Sequence, residues 1–358
     1  MTNTPSKRVP VTVVTGFLGA GKSTLVRHLL LHSGRRLAVL VNEFGEVGID
    51  GDLIADCGFC PADERAERVV ELANGCLCCT VQDDFLPTME RLLERAERLD
   101  GIVVETSGLA LPEPLLAAFR WPVIRTRTRV NGVVTVVDGE ALAAGHVVRD
   151  PAAIEAQRQA DPSLDHLQAI DELFHEQLEA ADLVLLSRAD CLGAEQLEAA
   201  RERLQPHLPA GVAVLPLAKG ALDPALILDA PPRSTGDAIP DHDHDHDHDH
   251  HDHAHVAIEA EAFQLQGLWS RQQLEPLLHD LLRSGTVVRL KGRLIEPGKQ
   301  RPLQIQAVGP RLECWYEGEV SADADPSGRL DLVLMGFGLD RVAIAHGLQP
   351  QGSQPLGI

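Results

Sequence analysis

Asn74-Gly75-Cys76-Leu77-Cys78-Cys79-Thr80 places three thiols within four residues. A thiophilic metal ion bound tetrahedrally needs thiolates converging on one point at about 2.3 Å. Spacing this close supplies two or three ligands and leaves a position for water or another side chain. That suits a carrier, which must release its metal, better than a permanent structural site. Buried free cysteines or a redox pair are the alternatives, but three thiols beside a glycine favour metal. Cys57 and Cys60 form a Cys-x-x-Cys that is either a second ligand pair or incidental.

A second constellation is built for phosphate. Gly16-Phe17-Leu18-Gly19-Ala20-Gly21-Lys22-Ser23-Thr24 fits G-x-x-x-x-G-K-[ST], with an apolar β-run before it and a helical run, Leu25 to Leu30, after it. Glycine lets the backbone curl so that successive N–H groups face an anion at a helix N-terminus. Lys22 is expected on the β and γ phosphates and the Ser23 hydroxyl on Mg2+. Glu105, at the end of Ile102-Val103-Val104, can hold the Mg2+ shell, and Gly108 offers an N–H near the γ-phosphate. Ser187-Arg188-Ala189-Asp190 follows a later apolar run, where a base would be read. The Asp190 carboxylate can accept from guanine N1 and N2, donors that adenine lacks, and the Arg188 stem can lie over the ring. Ala218-Lys219 flanks the base in the same way. Between strands, Asn42 to Asp50 is acidic and contains glycine. It is either a solvated turn or a loop ordered by the γ-phosphate, with Glu46 completing the metal site and Glu43 or Asp50 positioning water or Mg2+.

These groups need a scaffold. The runs Val9–Thr15, Leu37–Val41, Ile102–Val104, Val133–Val137, Leu183–Leu186 and Val212–Leu217 are apolar without alternation, the pattern of strands buried on both faces. Stripes such as Met89, Leu92, Leu93, Ala96, Leu99 and Leu167, Ile170, Phe174, Leu178 are helical. The expected fold is therefore α/β, with a mostly parallel, doubly wound sheet over residues 8–229. Ala230 to Gly236 and the Asp/His run Asp241–His255 form a linker, 230–255, expected to be disordered without metal. Eight of the 16 histidines lie in that run. Imidazole and carboxylate suit Zn, Co and Ni, so the run is either a metal-collecting arm or a charged spacer. A small α+β domain with an antiparallel sheet follows at 256–347. Its expected strands are Val256–Gln264, Val287–Ile295, Leu303–Val308 and Leu330–Met335. Its expected helices are Pro276–Arg283, with proline in the first turn, and Asp340–His346.

Bulk properties narrow the class. A net charge of −21 opposes binding to nucleic acid or anionic membranes. No apolar run approaches the roughly 20 residues of a membrane span. Five of the seven cysteines cluster between Cys57 and Cys79, unlike an extracellular disulfide scaffold. The sequence points to the cytoplasm.

Together, Gly16–Thr24, Asn42–Asp50, Gly75–Cys79, Glu105–Gly108, the His-rich linker and Arg289-Leu290-Lys291-Gly292 resemble the P-loop GTPases of metal-centre assembly, in their CobW-like metallochaperone group. Val47 to Asp52, Glu105 to Pro112 and Asp150 to Gln157 are most similar to the members serving aerobic cobalamin biosynthesis. The resemblance implies that Mg2+ and GTP build the metal site and that Cys76, Cys78 and Cys79 are its ligands. It implies slow GTP hydrolysis linked to metal release, and delivery of Co2+ to a metal-acceptor protein, the cobaltochelatase. A zinc chaperone of the same family is the alternative, and a His-rich metal store or sensor is the alternative of another class. One departure stands out. The family has Asn-Lys-x-Asp where this chain has Ser187-Arg188-Ala189-Asp190; serine, shorter than asparagine, is expected to lose a contact to the base or to the phosphate loop, with guanine preference surviving through Asp190. Oligomeric state is not legible in the sequence.

Overall fold

Val9–Thr15 is mostly valine, with a proline and two threonines, and every one of its residues is buried. In the computed structural model, which describes residues 8–41, 69–71, 85–152, 170–228, 258–318 and 328–349, this run is the central strand β1. Around it lie β2 (Leu37–Val41), β3 (Val69–Glu71), β4 (Gly101–Glu105), β5 (Thr128–Asp138), β6 (Leu183–Ser187) and β7 (Ala213–Leu217). Their order is β3-β2-β4-β1-β5-β6-β7 and all pairings are parallel. The sheet winds outward in both directions from β1, and in such sheets ligands bind at the carboxyl ends of the strands where the winding reverses.

Helices cover both faces. On one, α1 (Lys22–His32) lays Leu25, Val26 and Leu29 over Val14, Val39, Val103 and Val134. On the other, α2 (Leu86–Glu94) and α3 (Pro112–Phe119) bury Met89, Leu92, Leu93, Leu115 and Phe119 against Val11, Val13, Leu40 and Val104. Short helices α4 (Pro122–Arg125) and α5 (Gly139–Ala143) flank β5. Then α6 (Ile170–Glu179) and α7 (Ala194–Leu204) pack Phe174, Leu178, Leu197 and Leu204 on Val137, Val184 and Leu186, and α8 (Pro224–Ile227) closes this part. No helix among the described residues is long and apolar enough to cross a membrane.

The second sheet is antiparallel, in the order β11-β10-β9-β12-β8. Its strands are β8 (Glu259–Gln266), β9 (Val287–Ile295), β10 (Leu303–Val308), β11 (Arg311–Tyr316) and β12 (Arg329–Gly336). One face lies under α9 (Arg271–Leu282) and α10 (Arg341–Gly347), with Leu274, Leu278 and Ile344 against Leu290, Leu294, Ile305 and Leu332. The two sheets meet at β5. Asn131 accepts from both terminal nitrogens of Arg289, at 3.2 and 3.3 Å, and donates to the Ile227 carbonyl at 2.7 Å. Arg129 donates to Gln306 at 2.7 Å and lies 4.2 Å over the Trp315 ring. Arg311 pairs with Asp182, whose carboxyl burial pushes above the usual range.

The expected strands and helices are present, with differences of physical origin. β5 starts at Thr128 rather than Val133, because its polar residues Arg129 and Asn131 are buried against the second sheet instead of facing water. β3 and β11 carry no long apolar run; β3 has three residues and β11 is half-buried along its length. Helix α9 starts at Arg271, ahead of the expected Pro276, because Ser270 and Gln273 form a capping box. Pro276 then sits inside the helix, where its ring removes one backbone donor. The C-terminal helix begins one residue after the expected Asp340, which is its cap and accepts from Val342 and Ala343. Leu167, the linker 230–255 and Val256 lie outside the described residues.

Asn131→Ala would leave Arg289 and the Ile227 carbonyl each short of a buried partner. The expected loss is about 1–3 kcal/mol, read as a lower denaturant midpoint at unchanged slope.

Candidate functional site

β1 delivers the chain to its carboxyl edge at Thr15, and the phosphate loop begins there. Gly16, Gly19 and Gly21 have φ of 131°, 73° and 105°, a region that L side chains rarely adopt. At Gly16 a side chain is excluded twice over, since a Cβ would sit 2.1 Å from the Val136 carbonyl. Gly21 precedes α1, which starts at Lys22. Ala20 N–H donates to the Phe17 carbonyl at 3.2 Å, and the buried Lys22 ammonium donates to the same oxygen at 3.0 Å. Lysine thus lies folded along the loop, its charge held where phosphate oxygens would arrive.

Glu105 ends β4 directly beside Val14. It is buried, and its Oε1 accepts from the Ser23 hydroxyl at 2.8 Å. Thr106 fixes this corner twice, through N–H to the Val14 carbonyl at 3.0 Å and hydroxyl to Thr15 Oγ1 at 3.0 Å. Two hard oxygens side by side next to a phosphate loop match the ligand preference of Mg2+. Ser23 and Glu105 would hold that ion, which when bound offsets the charge of the phosphate oxygens. Gly108 packs so tightly on the loop that a Cβ there would lie 2.4 Å from Leu18 N. Gln177, fully buried on α6, donates its amide to the Gly108 and Ala110 carbonyls at 3.4 and 3.3 Å, tying this segment to the helix behind it.

The third wall comes from β6 and β7. Ser187 is buried at the end of β6 and gives its proton to the Val137 carbonyl at 3.2 Å. Arg188 takes a left-handed conformation, φ 56°, and reaches the Gly19 carbonyl at 3.0 Å and Asp138 at 3.3 Å. Asp190 accepts from Lys219 N–H at 3.3 Å, and Lys219 is also left-handed, φ 50°. Gly220 then passes over Thr24, at 2.6 Å from the methyl for an added Cβ. Gly16, Gly19, Ala20, Gly21, Lys22, Ser23, Thr24, Glu105, Ser187, Arg188 and Asp190 therefore all converge on one edge of the sheet. Glu43, Glu46, Asp50, Cys57, Cys60, Cys76, Cys78, Cys79 and the Asp241–His255 run lie outside the described residues. Asp138, Arg149 and Gln177 belong to the same edge but gave little signal in sequence. Asp138 before Gly139-Glu140 reads as a helix cap, which it also is, and Gln177 sits in an otherwise apolar stripe.

A family model for the CobW/HypB/UreG nucleotide-binding domain matches residues 10–215, and one for the cobalamin synthesis protein cobW C-terminal domain matches residues 258–350. The chain belongs to the CobW family. It is 46% identical over 346 residues to a zinc chaperone CobW of Pseudomonas aeruginosa, covering 96% of this chain and 91% of that one. It is 40% identical over 331 residues to a zinc chaperone CobW of Sinorhizobium sp, covering 91% and 92%. It is 33% identical over 208 residues to the zinc chaperone YjiA of Escherichia coli, covering 56% of each chain.

Of the two cysteines described, Cys191 is exposed and Cys314 is half-buried. Burial, with Glu275 beside it, pushes the Cys314 thiol up to about 12. It stays protonated and is no thiolate ligand at neutral pH. In the folded protein, Cys314 should resist alkylation at pH 8 while Cys191 reacts, as peptide mapping would read. Gly108→Ala should force the loop away from Leu18 and weaken GTP binding about tenfold or more, measured by titration calorimetry.

Proposed function

We propose that this chain is a GTP-dependent metallochaperone. With Mg2+ and GTP present, Cys76, Cys78 and Cys79 converge on a thiophilic divalent metal. After hydrolysis the segments relax and the metal passes to an acceptor protein. The observation that carries this reading is the common row in which four strands end. Val14, Glu105, Val41 and Glu71 are register partners across β1, β4, β2 and β3. Three strand spacings put Glu71 about 14 Å from Val14. Five extended residues span at most about 17 Å, so covalent reach allows Cys76 to approach the phosphate loop. The chain after Val41 carries Glu43, Glu46 and Asp50 from the same edge. In this reading Glu43 aligns the attacking water, Lys22 and Glu105 hold the triphosphate end, and Glu46 joins the thiols on the metal. No glutamine or arginine finger stands in the matched motifs, so unaided turnover is slow and a partner speeds it.

Zinc is the cargo that the relatives' names support, and Zn2+ also precedes Co2+ in affinity at N/S sites. Cobalt, delivered to the cobaltochelatase, is the second reading. It rests on the likeness of residues 47–52, 105–112 and 150–157 to the cobalamin-associated members. The domain limits 8–229, 230–255 and 256–347 belong to the same proposal, with the Asp/His run as a collecting arm outside the gated site.

Replacing Cys76, Cys78 and Cys79 by serine should abolish tight capture of one Zn2+ in the GTP-bound protein, read by chelator competition, while GDP still binds. Retained tight capture would refute the thiol site. Loading the GTP form under buffered Zn2+ and Co2+ at cell-like availabilities decides the cargo by which metal it holds.

A further inference from the structure

Helix α6 stands behind the phosphate site and touches it at two points one turn apart. Phe174 stacks on Phe17 of the phosphate loop, with ring centroids 6.0 Å apart and planes at 21°. Gln177 is three residues further on, on the same face of the helix, and reaches the segment after β4 instead. The helix is pinned to the sheet at this point, because the Thr135 hydroxyl of β5 donates to the Gln177 backbone carbonyl at 3.0 Å.

An amide is an expensive choice here. The other buried residues of α6 are Leu173, Phe174 and Leu178, and Gln177 has no exposed surface. A buried amide destabilises unless it is hydrogen-bonded, and methionine would fill the same space. The two protons of the Gln177 amide go to the Gly108 carbonyl at 3.4 Å and the Ala110 carbonyl at 3.3 Å. Turning the amide over would set its oxygen against two carbonyl oxygens, so its orientation is fixed. Between these anchors the chain makes a turn, closed by Ala110 N–H to the Ser107 carbonyl at 3.1 Å. Thr106 holds the entry to the turn on β1, through its N–H to the Val14 carbonyl and its hydroxyl to Thr15. Gln177 holds the exit. Gly108 lies between the two, pressed on the phosphate loop where a Cβ would meet Leu18 N at 2.4 Å.

We propose that Gln177 is a positioning residue for the terminal phosphate. It sets the Gly108 turn at the place where the Gly108 N–H meets the γ-phosphate, and so favours GTP over GDP. The proposal rests on the guanine-nucleotide reading above, with Gly108 as the γ-phosphate donor. A division of labour along α6 follows. Phe174 backs the loop that every nucleotide phosphate needs, and Gln177 backs the part that only a triphosphate reaches.

The test uses the full-length protein with Mg2+ and two probes, GDP and a non-hydrolysable GTP analogue, by titration calorimetry. Gln177→Met keeps the side-chain length and removes both donors. It should weaken the analogue about tenfold, the net worth of two buried hydrogen bonds, and leave GDP within about twofold. Phe174→Leu, on the same helix, is the reference for general loosening and should weaken both probes by one factor. Should Gln177→Met fail to fold, Gln177→Glu keeps the shape, puts an oxygen in place of the donor nitrogen and should show the same selective loss. Equal weakening of both probes in a folded Gln177 variant would overturn the proposal and leave the amide a structural filler. Unchanged binding of both would overturn it as well. In either case a wild-type protein that binds both probes leaves the guanine-nucleotide reading standing. Wild-type protein that binds neither would refute that reading, and the role of Gln177 with it.

Discussion

Parallel register governs this molecule. Because β1, β4, β2 and β3 run the same way and end in one row, whatever follows each strand emerges at one edge, about 4.8 Å from its neighbour. The phosphate loop follows β1, the Mg2+-type carboxylate ends β4, the acidic loop follows β2 and the cysteine segment follows β3 three residues after Glu71. An antiparallel arrangement would send alternate loops to opposite ends. The proposed coupling between a terminal phosphate and a set of thiols would then need only short reach at a shared edge.

The edge is stiffened from behind by contacts that differ in kind. Ser23 to Glu105 and Thr106 to Thr15 join β4 to the loop and strand beside it. Gln177 holds the segment after β4 from α6, and Arg188 holds the loop from β6. The bonds of Thr106 and Gln177 are buried, where geometry is well defined and an unmade bond is expensive, and that of Arg188 is exposed to solvent. The second sheet docks away from this edge. Asp182, just before β6, and Arg129 and Asn131 early in β5 carry that contact.

Much of the architecture was legible because buried parallel strands are simply apolar. Val9–Thr15, Leu37–Val41 and Leu183–Leu186 announce themselves, and the glycines of 16–21 explain their own spacing. What escaped was set by tertiary contact. Arg129 and Asn131 look like loop residues until a second sheet satisfies them. Gln177 looks like a flaw in an apolar stripe until the Gly108 and Ala110 carbonyls appear above it. Arg188 looked like a base contact alone, because the shortness of Ser187 is visible in sequence but its partner across the sheet, Asp138, is not. The cysteines were legible in type and spacing, and their chemistry is argued from that spacing and from the strand that precedes them.

The central claim is that nucleotide state sets metal affinity. The direct measurement is the Zn2+ dissociation constant of the full-length chain, by competition with a chromophoric chelator, once with Mg2+ and a non-hydrolysable GTP analogue and once with Mg2+ and GDP. The account predicts much tighter binding with the triphosphate, and by linkage an equal factor by which Zn2+ tightens the analogue. Equal affinities in the two states would contradict it.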